Sequence, residues 1–243
     1  MFMYGMYGYG YGYGFDPTII LVLIGVALSL WAQGRVNSTF SRYSRVRSMT
    51  GMTGAEAARR LLNAQGIYDV TVQPIAGELT DHYDPRTKTV NLSDPVYNAT
   101  SVAALGVAAH ECGHAIQHAK SYAPLSIRSA LVPIANFGSM LAWPVILIGL
   151  LFNTRSSGLI IDIGILLFSA AVLFQLVTLP VEFDASRRAL VMLRTQGILA
   201  DDELRYTRRV LKSAALTYVA SAAAAILQLL RIILITNGRR RDD

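Results

Sequence analysis

The sequence predicts a mainly α-helical membrane protein in which transmembrane helices carry a helix-rich soluble domain with a short β-sheet. Three observations lead there. Hydrophobic residues fill 53% of the 243 positions and charged residues only 16%, a balance too apolar for a soluble globule. Four stretches, 18–33, 130–152, 158–181 and 214–236, come close to the roughly 20 apolar residues with which a helix crosses the hydrocarbon core. The segments between them are polar and punctuated by caps and turns, so they carry the soluble part.

Residues 1–17 are a Tyr/Gly-rich tail whose first fifteen positions have no charge and no helical period, expected to be disordered or interfacial. The tail lacks the basic start and the cleavage site of a signal peptide. Residues 18–33 form the first span, and the basic stretch Arg35, Arg42, Arg45 and Arg47 opens the soluble segment 34–129. Within it, Thr53-Gly54-Ala55-Glu56 matches a capping box and starts a helix ending near Gly66. Residues 70–75 read as a strand, and 78–83 with 87–92 as a hairpin around Asp84-Pro85-Arg86. An alanine-rich helix follows from about Ser101 to Lys120. Residues 130–181 form a transmembrane hairpin closed at 153–157, whose Pro133 and Pro144 a bilayer helix tolerates. Residues 182–213 are polar and helix-prone, and 214–243 join an apolar helix, either a fourth span or a helix lying on the soluble domain, to a basic tail.

Seventeen lysines and arginines lie in 34–129 and 182–213, against four in the other segments outside the spans, which places both large segments in the cytoplasm. The expected location is therefore the inner (plasma) membrane of a bacterial-type cell, as a multi-pass protein. Arg239, Arg240 and Arg241 oppose a fourth crossing, and Arg231 sits awkwardly inside the last apolar stretch. The net charge of +6 does not point to nucleic acid, because no basic patch interleaves with aromatics. The arginines cluster beside apolar segments, where a lipid bilayer is the partner. One cysteine, Cys112, excludes an intramolecular disulfide and reads as a small buried side chain.

The chemistry is concentrated in His110-Glu111-Cys112-Gly113-His114. Four residues apart on a helix, the two histidines share a face and can donate to one Zn2+ ion, with Glu111 beside the metal as general base and acid. Three of the four histidines fall between positions 110 and 118, against chance placement. His118 continues the row, yet it lies about 12 Å from His110 along a helix rising 1.5 Å per residue, too far to share the ion. A catalytic zinc takes a third protein ligand. Glu56 caps a helix, Glu78 stands at the hairpin base and Glu203 follows a Gly-containing stretch. Glu182 leaves the third span on the histidines' side and is the expected ligand.

Beyond the tail, several pieces resemble the YugP-like neutral zinc metallopeptidases of bacterial membranes. They are Ser29-Leu30-Trp31-Ala32-Gln33, Thr53 to Glu56, Asp81-His82-Tyr83-Asp84-Pro85, Ser101 to Gln117 and Pro180-Val181-Glu182-Phe183-Asp184-Ala185-Ser186. The last piece is also similar to the glutamate-bearing helix of the HtpX and CAAX-prenyl membrane proteases. That wider group shows Glu-x-x-Ala-Asp, whereas Ser186 stands here where the aspartate would fall. The resemblance implies a gluzincin-like endopeptidase with a zincin-like cytoplasmic domain, acting on membrane or membrane-adjacent polypeptides.

The plainer reading of Asp81 to Pro85 is a hairpin turn; the alternative makes His82 or Tyr83 an oxyanion donor. Residues 87–92, around Val90, are expected to form an edge strand on which an extended substrate pairs. A metal-binding scaffold or chaperone-like protein without turnover is the rival function, and a homo-oligomer or a membrane partner protein is left open.

Overall fold

The structure, a computed structural model, describes residues 16–151 and 157–242, with side chains of the last helix to residue 237. The tail through residue 15 and the hairpin closure at 153–156 lie outside the described residues. Among those described, the chain order is α1 (Ile19–Tyr43), α2 (Gly54–Ala64), β1 (Thr71–Ile75), β2 (His82–Asp84), β3 (Thr89–Ser93), α3 (Asp94–Tyr97), α4 (Val102–Ala119), α5 (Ala123–Leu151), α6 (Ser157–Thr195) and α7 (Asp201–Asp242).

Four helices, α1, α5, α6 and α7, are long and apolar enough to cross a membrane. At most 28% of their most apolar windows is buried against protein, so lipid must solvate the rest. Their ends differ from those the composition suggests. α6 has 39 residues and continues through Pro180 to Thr195, although the apolar run stops near residue 181. Proline removes one N–H from the ladder, a loss that membrane helices accommodate. About 20 residues suffice to span the core, so roughly half of α6 projects beyond it. α7 behaves alike: one 42-residue helix contains both the polar 201–213 and the apolar stretch after it. The awkward Arg231 is met at the opposite end of the spans, 3.1 Å from Asp16 before α1.

The projecting ends of α6 and α7 hold the soluble domain. Thr53 and Glu56 form the capping box that starts α2: the Thr53 hydroxyl accepts from Glu56 N at 3.2 Å and the Glu56 carboxylate from Thr53 N at 2.8 Å. α4 is the centre of the domain, with 14 of its 18 residues buried. Burial all round explains its alanines and glycines, which let neighbouring helices come close. A β-carbon at Gly106 would meet Thr207 Cγ2 at 2.6 Å, and one at Gly113 would meet the Ala185 carbonyl oxygen at 2.7 Å.

The sheet has the order β1-β3-β2, with β1 parallel and β2 antiparallel to β3. This corrects the expectation of an edge strand at 87–92. β3 is central, all five of its residues are buried, and Val90 is fully buried against the core, so no substrate can reach it. The edges are β1 and β2, the latter shorter than the expected 78–83 because Gly77 (φ 106°) and Leu79 (φ 57°) break the extended backbone. Lys88 (φ 51°) makes the turn into β3.

The two soluble segments interlock. Met49 N donates to Glu203 Oε1 at 2.7 Å, Thr50 Oγ1 to Ile198 O at 3.1 Å, and Thr207 Oγ1 to Val102 O at 3.0 Å. They therefore lie on one side of any bilayer the spans cross. Single cysteines at the exposed Met49 and Arg205 are expected to react together with an impermeant maleimide from the same face of sealed vesicles, the buried Cys112 staying silent. Labelling from opposite faces would refute the arrangement.

Candidate metal centre

α4 sets His110 and His114 one turn apart, with ring centroids separated by 4.8 Å and planes at 82°. α6 crosses α4 at Gly113 and brings Glu182 over both rings. Glu182 Oε2 lies 3.3 Å from His110 Nε2 and 3.6 Å from His114 Nε2, and one donor atom from each of the three residues falls within 4.8 Å of the others. Donors about 2.0–2.2 Å from one zinc ion in a tetrahedron stand about 3.3–3.6 Å apart, so the Glu182–histidine separations fit that ion.

The opposite ring nitrogens are held as well. His114 Nδ1 donates to Gln117 Oε1 at 3.0 Å, and Gln117 Nε2 donates to Asp184 Oδ2 at 3.0 Å and to Val181 O at 2.8 Å. Ser186 Oγ lies 3.2 Å from His110 Nδ1. Occupying Nδ1 in this way leaves Nε2 free as the donor to a metal. Ser186 thus stands beside a histidine in the very position where the wider pattern has aspartate, while Asp184, on another face of α6, acts only through Gln117.

Glu182 is 2% exposed, and its surroundings are cationic or polar: Arg128 approaches its Oε1 to 3.9 Å, and Tyr218 lines the same cavities. Glu111 is buried beside the trio without belonging to it. Burial raises its carboxyl above the ordinary range; the negative Glu182 and Asp81 add to this, and His110 and His114 oppose it. Burial alone would lower the His114 imidazole, but the adjacent carboxylates of Glu182 and Glu111 outweigh it and raise the value.

Two cavities meet here. One, of about 880 Å³, is bordered by β2, α4 and α5; the other, of about 310 Å³, lies between α1, α4 and α7. Asp81, Glu111, Glu182 and Tyr218 line both. The structure places the other sequence candidates as follows. Tyr83 borders the larger cavity with its hydroxyl 2.8 Å from His118 Nδ1, so His118 is paired there and stands outside the metal trio. His82 borders it too, but its ring nitrogens engage Thr80 O and the Asn91 amide within the sheet. Glu203 uses both oxygens on the amides of Met49 and Ala200. Sequence reading missed Gln117, Arg128 and Tyr218. Gln117 could have been found by its position three residues after His114 on the same helix face; Arg128 and Tyr218 carry no local signal.

A largely buried two-histidine, one-glutamate donor set at the end of a bundle of apolar helices defines a membrane-associated protein with a site able to hold a metal ion. The chain belongs to the family described as "Putative neutral zinc metallopeptidase", whose model matches residues 18–237. It is 48% identical over 222 residues to the "Putative membrane protease YugP" of Bacillus subtilis (strain 168), which covers 91% of this chain and 97% of that protein. No solved structure matches it.

The crossing at Gly113 makes a prediction. Gly113→Ala puts a methyl group 2.7 Å from the Ala185 carbonyl and pushes α6 outward. Overpacking of this kind costs about 1–3 kcal/mol. Zinc affinity, read by chelator competition, is expected to fall at least tenfold while the helical circular dichroism persists. Unchanged affinity would show that the crossing does not position Glu182.

Proposed function

We propose that the protein is a membrane-integrated zinc endopeptidase that hydrolyses peptide bonds of membrane or membrane-adjacent polypeptides on the cytoplasmic side. The observation that carries this reading is a buried carboxylate, Glu111, beside the donor trio and facing both cavities. A purely structural metal site has no use for such a group at an open position.

His110, His114 and Glu182 would hold the ion. Zinc there supplies Lewis acidity, polarising the scissile carbonyl and lowering the pKa of water. Glu111 takes the proton of the attacking water and delivers it to the leaving nitrogen, a task suited to a carboxyl whose pKa is raised by burial. Arg128 and Tyr218 put N–H and O–H donors into the same cavity, where negative charge develops on the carbonyl oxygen.

The free edge of β2 supports a polypeptide substrate. Asp81, His82 and Tyr83 border the larger cavity, and an extended chain adding to that edge would run beside α4. The smaller cavity suits an apolar side chain arriving from the bilayer, since Val36 and Phe40 of α1 and Leu211 and Ala214 of α7 form its wall. The charge distribution of the loops supports the cytoplasmic orientation.

Glu111→Gln tests the mechanism, because the amide keeps the shape but cannot accept a proton. General acid–base catalysis contributes about 10²–10⁴-fold. The variant is expected to retain stoichiometric zinc and lose at least 100-fold in cleavage of a peptide library. Loss of zinc would make Glu111 a ligand, and activity within a few-fold of wild type would remove it from the reaction.

A further inference from the structure

A third cavity, of about 700 Å³, lies along the outer seam of α6 and α7 and shares Ser186, Leu211 and Ala215 with the smaller of the two cavities at the metal centre. Its wall is apolar, formed by Phe183, Leu190, Leu211, Leu216 and Val219. Phe183 and Val219 are respectively 48% and 40% exposed, open to whatever surrounds the helices. Arg187, Arg208 and Lys212 rim the groove, and no acidic side chain lines it.

The three cations are not equivalent. Arg187 is bound to Asp184 at 2.5 Å, and that carboxylate is tied through Gln117 to His114. Arg208 and Lys212 have no ion-pair or hydrogen-bond partner among the described residues. They stand where α7 passes from its polar 201–213 to its apolar stretch, next to the point at which α6 makes the reverse change at Glu182. An apolar slot with unneutralised cations at this level matches the chemistry of one kind of molecule, an amphiphile with an anionic head.

We propose that the groove binds an anionic phospholipid, with an acyl chain along Phe183, Leu216 and Val219 and the phosphate between Arg208 and Lys212. The inference rests on the membrane placement proposed above but not on peptidase activity. A phosphate group alone would use the cations and leave the slot empty, whereas a zwitterionic lipid would fill the slot and bring a positive amine towards them. An anionic lipid satisfies both halves of the site.

The test is equilibrium binding of a fluorescent phosphatidylglycerol to the full-length zinc-loaded protein in neutral detergent, with competitors. Unlabelled phosphatidylglycerol should displace the probe at least tenfold more effectively than phosphatidylcholine, and millimolar inorganic phosphate should not displace it. Each basic residue near a membrane surface is worth about fivefold. R208Q/K212Q should therefore weaken binding at least tenfold, with zinc content unchanged because neither residue touches the metal site. Leu216→Trp, which fills the slot, should weaken it as well without altering charge. Equal displacement by phosphatidylcholine, displacement by inorganic phosphate, preferential displacement by an acidic peptide, or binding within twofold of wild type in R208Q/K212Q would each overturn the proposal.

Discussion

The close crossing of α4 and α6 is the constraint on which the site depends. With no side chain at Gly113, the backbone of α6 at Ala185 can lie directly on α4. One turn before that contact is Glu182, and the residue after it is Ser186, so a single crossing delivers a donor to the Nε2 side of both histidines and a hydroxyl to Nδ1 of His110. The arrangement needs α6 to remain helical beyond the apolar run, which it does through Pro180. A break at the membrane surface would separate the metal site from the helix that supplies its carboxylate.

Burying Glu182 almost completely has an energetic consequence. An ionised carboxylate removed from water is costly unless charge and hydrogen bonds compensate it. Here two imidazoles, Arg128 and Tyr218 surround it, and a divalent ion at the same point would compensate it far more strongly. The two histidines are supported unequally. His114 is linked through Gln117 to Asp184, which Arg187 and Arg188 hold at 2.5 Å, whereas His110 has only the neutral Ser186 hydroxyl.

Much of this was legible in the sequence. The four apolar helices follow from length and composition, the α2 capping box from four consecutive residues, and the shared face of His110 and His114 from helical spacing alone. Glu182 was placed on the correct side by counting spans, and the structure brings it within 3.3 Å of His110. Helix ends were not legible, because at a membrane surface composition changes while the helix continues, as in α6 and α7. The sheet order was hidden for another reason. Residues around Asp84-Pro85-Arg86 announce a hairpin, but nothing local says that β1 comes from upstream to cover the other edge of β3 and bury Val90. Arg128 and Tyr218 reach the site only because α5 and α7 pack there, so no neighbour in sequence could reveal them.

The central claim is that three side chains, contributed by two crossing helices, hold one zinc ion. Zinc affinity of Glu182→Gln, measured by chelator competition beside Glu203→Gln and His118→Ala, tests it most directly. Losing an outer-shell partner typically costs about 10–100-fold in metal affinity, and a direct ligand should cost no less. The account predicts a fall of at least tenfold for Glu182→Gln. His118→Ala should bind nearly normally, since that ring pairs with Tyr83, and so should Glu203→Gln, whose carboxylate serves backbone amides. Full zinc occupancy in Glu182→Gln together with its loss in either of the others would contradict the assignment of the site.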